Sequence, residues 1–281
     1  MIGSGFSVIL LGLASAAAWG AGDFSGGLAS KRTSAYSVVI LSQFVSLVLL
    51  VLSAVLIPEG ANSLRDMILG GIAGVCGAAG LVALYSGLAR GPMGVVAPIT
   101  AVVAAIVPVI FSILNEGFPA MEVFVGFIIA LIAVWLISQG DQDAKIHLSD
   151  LRLPIIAGFG FGIFFILIDQ VSSNAILWPL VSARSALILV VFIVGMLSRN
   201  IELPVLTRLP IIALAGIFDT GGNVFFALAT RVGRLDISAI LSSLYPAATV
   251  VLAWIILKER LAMRQWIGIL LALVAVILIA N

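Results

Sequence analysis

Asp23, Gln43, Tyr85, Asp169, Arg184, Asp219, Asn223 and Tyr245 interrupt tracts that are otherwise almost wholly apolar. A polar or charged group in such surroundings costs several kcal/mol unless it finds a partner or water, roughly 2–7 kcal/mol for a neutral group. These residues are therefore where chemistry is to be sought. Arg184 can anchor an anion, because its planar guanidinium binds a carboxylate or phosphate through two parallel hydrogen bonds and keeps its charge. Asp219 can alternate between pairing with that cation and holding a proton, and Asn223, four residues on, shares its helical face. Asp169 is a second acid in reach of the same arginine. A permanent ion pair that only locks the helices together explains the same residues, and the two readings stand side by side. Asp23 lies in Gly22-Asp23-Phe24-Ser25-Gly26-Gly27. There it is either a cavity carboxylate or an acid at a glycine-rich helix end facing water. Trp19 and Trp254 could line a cavity with the tyrosines or simply pack.

The elements that position these groups follow from composition. Of 281 residues, 62% are hydrophobic and 10% charged, and the mean hydropathy is +1.28. A soluble domain carries about 25% charged residues. A chain this apolar lacks the polar surface to face water and reads as an integral membrane protein. Its net charge of +1 does not suggest nucleic acid as a partner; the lipid bilayer and a small molecule are the partners expected, with protons as a further candidate. One cysteine, Cys76, and one histidine, His147 in a polar connector, leave no basis for a disulfide or a metal cluster. No cofactor is expected.

Crossing a bilayer takes about 20 apolar residues. Ten such spans are read at roughly 6–28, 36–57, 66–89, 93–114, 120–138, 153–173, 177–197, 208–230, 236–257 and 263–280. The first has no positive charge ahead of it and is expected to be retained. The tract Gly71–Ile137 is echoed by Ala213–Ile279 without a gap: Gly74 pairs with Gly216, Gly80 with Gly222, Gly91 with Gly233 and Gly126 with Gly268, each 142 residues apart. The expected fold class is an all-α polytopic membrane protein of ten transmembrane helices arranged as a 5+5 repeat. Residues 1–138 form the first copy, 139–152 a linker, and 153–281 the second. Five crossings per copy leave the second starting on the opposite face, so the repeat is inverted.

Charges agree with that inversion. Lys31, Arg32, Arg90, Lys145, Arg152, Arg199, Arg208, Lys258, Arg260 and Arg264 fall in odd-numbered loops, against Arg65, Arg231 and Arg234 in even ones. Basic residues favour the cytoplasm, which places both termini outside. Small residues four apart, such as Gly12, Ala16 and Gly20, put spans 1, 3 and 6 in the interior. Spans 5 and 10 carry almost nothing polar and fit a peripheral, lipid-facing or homodimer-forming position. Pro98 and Pro108 in span 4 and Pro246 in span 9 each bend a helix, as hinges or as static kinks.

Several motifs resemble those of the drug/metabolite transporter superfamily, in its EamA-like branch: Ala18-Trp19-Gly20, Gly91 and Gly233 at span ends, and Lys258-Glu259-Arg260-Leu261 running into Gln265-Trp266 and Gly268. The equivalent turn of the first copy, Asn115-Glu116-Gly117-Phe118, is a weaker version. The resemblance implies an exporter or exchanger of small metabolites, often amino acids, in the plasma (bacterial inner) membrane, with spans 1–4 and 6–9 around a central cavity and both termini inside in many members. The leading expectation is a secondary transporter using alternating access. An intramembrane enzyme is the rival, although no His-Glu-x-x-His or nucleophile and base set occurs. A channel or structural helper is the third reading.

Overall fold

The computed structural model describes residues 2–59, 63–90, 93–138, 151–172, 174–202, 204–258 and 261–280. The linker, with His147, lies outside the described residues except at Leu151 and Arg152. The helices are α1 (Ile2–Ser30), α2 (Ala35–Leu56), α3 (Leu64–Arg90), α4 (Met93–Glu116), α5 (Met121–Ser138), α6 (Arg152–Asp169), α7 (Leu177–Leu197), α8 (Leu209–Val232), α9 (Leu235–Ser242), α10 (Tyr245–Leu257) and α11 (Met263–Ala280). Among the described residues there is no strand. Among the described residues nine stretches are long and apolar enough to cross a membrane, with α9 and α10 together making one of them, and α5 is a shorter apolar helix. At 1.5 Å per residue, α5 spans roughly 26 Å, close to the thickness of a thin bilayer core.

The outward faces confirm the solvent. Leu52, Ile110, Phe159, Leu189, Phe192, Leu270 and Ile277 are all exposed. Water tolerates contiguous apolar patches of only a few hundred Å², whereas lipid takes such a surface readily. The chain is an all-helical polytopic membrane protein.

The helices meet in a reciprocal pattern. α1 packs on α8, α9 and α10, while α6 packs on α3 and α4; α2 packs on α7 and α8, while α7 packs on α3 and α2; α5 packs on α11. Exchanging the two halves of the chain converts each pairing into another on the same list. Glycines set these approaches. A Cβ on Gly80 would meet Phe161, and one on Gly222 would meet Trp19; the separations 222 − 80 and 161 − 19 are both 142. Gly126 lies against Ala275 and Ile279, and Gly268 against Ala133 and Ile137, again with 275 − 133 and 279 − 137 equal to 142. Gly160 sits on the backbone of Cys76, fixing α6 against α3. Without side chains at such points the backbones approach closely, which is how helices associate in lipid.

Spans 5 and 10 are neighbours as well as peripheral. Their small-residue faces are used against each other, and Gln265 Nε2 donates to the Ile137 carbonyl at 3.0 Å. Two expectations need correction. The ninth span is not one helix with Pro246 inside it: the chain tightens at Ser243–Leu244, and Pro246 stands in the first turn of α10. A helix start needs no amide donor there, so proline is accommodated without loss. α4, by contrast, runs unbroken through Pro98 and Pro108. The sixth span also ends earlier than 173, at Asp169, where the chain turns at Gln170.

Candidate functional site

Three helices bring the buried polar groups together. α7 contributes Arg184, which is 3% exposed, α2 contributes Gln43, 1% exposed, and α8 contributes Asp219 and Asn223. Arg184 Nη2 lies 2.9 Å from Asp219 Oδ2. This is a close ionic contact without the alignment of a hydrogen bond, and the Nε of Arg184 is buried with no partner among the described residues. Gln43 Nε2 donates to Asp219 Oδ2 at 3.2 Å. Asn223 Nδ2 donates to Asp219 Oδ1 at 3.2 Å and to its carbonyl at 2.6 Å. Both carboxylate oxygens are thus occupied, and Asp219 joins α2, α7 and α8. Helical spacing puts Asn223 one turn from Asp219 on the same face, which is why it can reach back.

A cavity adjoins this cluster and, with its mouth, takes in about 540 Å³. Trp19 and Asp23 of α1 line it, with Gly77 and Leu81 of α3, Ala104 of α4 and Phe161, Phe164 and Phe165 of α6. Arg184, Leu187, Asp219, Asn223 and Tyr245 complete the wall. All lie well inside their helices except Tyr245, which the α9–α10 break places at a helix start. Aromatic stacking gives the apolar side its shape: Trp19 and Phe165 stack with centroids 5.3 Å apart, and Phe226 backs Phe165 at 4.5 Å.

The remaining expected residues divide. Tyr245 directs its hydroxyl to the Ala97 carbonyl at 3.5 Å. Tyr85 is buried and does not line the cavity; its ring end lies against Gly26. Pro108 and Pro246 sit in α4 and α10, and Pro98 occupies α4. Asp169 does not compete for Arg184. It ends α6, where Gln170 Nε2 donates to its Oδ2 at 3.1 Å, and it belongs to a different cluster.

That second cluster was not foreseen. The turn from α6 to α7 is held by three charged residues from elsewhere in the chain. Arg231 Nη1 donates to the carbonyls of Asp169 and Val171 at 3.3 and 2.7 Å, and its Nη2 to that of Ala175 at 3.3 Å. The Glu59 carboxylate accepts from the Ile176 and Leu177 amides at 3.0 and 2.8 Å. Asp66 Oδ1 accepts from the Ser172 amide at 3.0 Å and its hydroxyl at 3.1 Å. A cation sits on the carbonyl end of α6 and an anion on the amide end of α7, each where the helix dipole favours it. Ser63 in turn caps the Asp66 amide at the start of α3. On the same face Arg234 grips Asp236 at 2.8 Å, with Glu116 at 3.7 Å; its hydrogen bonds to Asp236 push the guanidinium above its ordinary range. In the sequence Glu59, Asp66 and Arg231 stand out only as charges at or just beyond span ends; Asp66 opens α3 and Arg231 closes α8.

Comparison with known proteins bears on the scaffold. Residues 151–281 match the model of the EamA-like transporter family. An uncharacterized protein of Methanocaldococcus jannaschii is 28% identical over 130 residues, covering 46% of this chain and 93% of that protein. A solved crystal structure, at 12% identity, superposes with a TM-score of 0.81 over 97% of both chains, a likeness of fold.

Proposed function

We propose, from the membership of this chain in the EamA-like transporter family through residues 151–281, that it is a secondary transporter. It carries a small metabolite, such as an amino acid, out of the cell or in exchange, by alternating access. The carrying observation is the cavity inside the bundle, where Arg184, Asp219, Asn223 and Asp23 meet an otherwise apolar lining. Charged groups at such depth are retained where they serve a pathway or pair with one another, and here both conditions coincide in one place.

The matched glycine contacts support an inverted 5+5 repeat, and a repeat of that kind supplies two nearly equivalent packings for rocking about a central site. The clamp on the α6–α7 turn suits a closed gate on the even-loop face. Arg90 ends α3, Arg152 begins α6, and Arg199 and Arg208 flank α7 and α8 on the odd-loop face, which favours that face as cytoplasmic in a bacterial inner membrane, with both termini outside. The outer surfaces of α5 and α11 then face lipid or a second copy.

The test is flux. Purified protein in proteoliposomes is loaded with radiolabelled amino acids, sugars, nucleosides or polyamines, and efflux is followed. Saturable exchange of one class, lost in Arg184→Ala and Asp219→Asn, is expected. Ohmic conductance with no saturation would replace the transporter by a channel, and full transport in both variants would remove this pair from the mechanism.

A further inference from the structure

The cavity has two unlike walls, and the offset between the halves matches them residue by residue. Asp23 corresponds to Phe165, Asp219 to Gly77 and Asn223 to Leu81; 165 − 23, 219 − 77 and 223 − 81 are each 142, and all six line the cavity. Where one wall holds a carboxylate or amide, the other holds an aromatic ring, a bare backbone or an isobutyl group. The space is therefore graded from polar to apolar across its width.

Its charges do not balance. Arg184 lies against Asp219, whose oxygens also accept from Gln43 and Asn223. Asp23 faces the same cavity, and among the described residues it has no hydrogen bond or ion pair. Two carboxylates share one guanidinium. An unmatched carboxylate in a largely apolar enclosure is costly, and either a proton or a cation brought by the ligand removes the cost. Trp19, one turn before Asp23 on α1, and Tyr245 also line the space, and aromatic faces add attraction for an ammonium group.

We propose that this cavity is a site for a compact amine with an apolar or aromatic body, its ammonium at Asp23 and its body on the wall formed by Phe161, Phe164, Phe165 and Leu81. The amine is the minimal recognised feature. A zwitterion satisfies Asp23 in the same way, but its carboxylate must compete with Asp219 for Arg184. A ligand with a carboxylate alone meets Asp23 with like charge. This deepens the transport reading and depends on it only for movement of the ligand, since binding is measured separately.

The probes are phenethylamine, phenylalanine, 3-phenylpropionate and ethanolamine, added to the purified full-length protein while its Tm is followed; ligands of the folded state raise it. Phenethylamine is expected to raise the Tm saturably, with phenylalanine the same or weaker. Ethanolamine, lacking the apolar body, and 3-phenylpropionate, lacking the amine, are expected to do nothing. Asp23→Asn should abolish the phenethylamine response or weaken its half-saturation by about tenfold or more. Asp23→Glu, which keeps the charge, should retain it and guards against a folding defect in the first variant. An equal response to 3-phenylpropionate, an undiminished response in Asp23→Asn, or no response to phenethylamine in the unaltered protein would overturn the proposal. Phenethylamine flux in proteoliposomes separates the two readings. A Tm response without flux of any compound refutes transport and leaves the amine site standing. Saturable flux of another class without an amine response does the reverse.

Discussion

Trp19 fills the space that a Cβ on Gly222 would need, so that α1 and α8 meet with an indole laid into a gap of one missing methyl group. The same arrangement recurs between Phe161 and Gly80 on α6 and α3. Both rings line the cavity, so the glycines set its width as well as the helix spacing.

Substitution at these glycines should therefore read out in stability. Gly80→Ala and Gly222→Ala are expected to cost about 1–3 kcal/mol, the usual range for overpacking, measured as a lowered Tm in detergent. Gly74→Ala should cost more than either. Its Cβ would run into the Ala183 carbonyl, a backbone atom of α7 that cannot rotate away. Gly117→Ala, at φ +83 with nothing within 4 Å, should cost only the strain of a left-handed residue.

Removing one side of the buried pair should be worse than removing both. Arg184→Ala strands Asp219 among Gln43 and Asn223 and is expected to lower stability by about 3–5 kcal/mol. The double variant Arg184→Leu/Asp219→Leu should cost less than Arg184→Leu alone, and a thermodynamic cycle on the two single Leu variants and the double measures the coupling. Strict additivity would mean that the 2.9 Å contact carries no coupling.

The clamp on the α6–α7 turn predicts a local effect. Glu59→Gln removes the charge that caps α7 and is expected to cost about 1–3 kcal/mol. The loss should appear in hydrogen exchange as faster turnover of the Ile176 and Leu177 amides, with α5 and α11 unchanged. Arg231→Gln should open the same turn from its α6 side. Uniformly faster exchange along the chain would instead mark a global loss of stability.

Gln265 joins the outer pair of helices, accepting from the Ala262 amide at 2.9 Å and donating to the Ile137 carbonyl. Gln265→Leu leaves that carbonyl without its side-chain donor and is expected to cost about 1–3 kcal/mol. Gln265→Glu should be similar or worse, since a carboxylate cannot donate. Thermal melts of the two variants check the order.

Much of this was legible from residue type and spacing. Polar residues missing from spans 5 and 10 pointed to a cavity, and Arg184 was legible as its cation, with two acids, Asp169 and Asp219, as candidate partners. The outer position of α5 and α11 followed from their uniform apolarity. Gln43 was visible as a polar residue in a span, but not as a donor to Asp219, since rotation of α2 about its axis is fixed only by packing. Asp169 went to the wrong partner for a related reason: it is the last residue of α6, in the turn that Arg231 holds through the Asp169 and Val171 carbonyls, and its carboxylate meets Gln170. Loops gave least. Glu59 recognises amides of residues more than a hundred positions away, and no local pattern encodes that meeting. The break before Tyr245 was missed because a proline inside an apolar run reads as a kink, whereas here it opens a new helix.

Cys76 is the sole sulfhydryl of the chain, half-buried beside Gly77 with its backbone against Gly160. Any maleimide dye that labels the unaltered protein therefore reports on one place only, the seam of α3 and α6, and its brightness would register crowding there without any engineered handle.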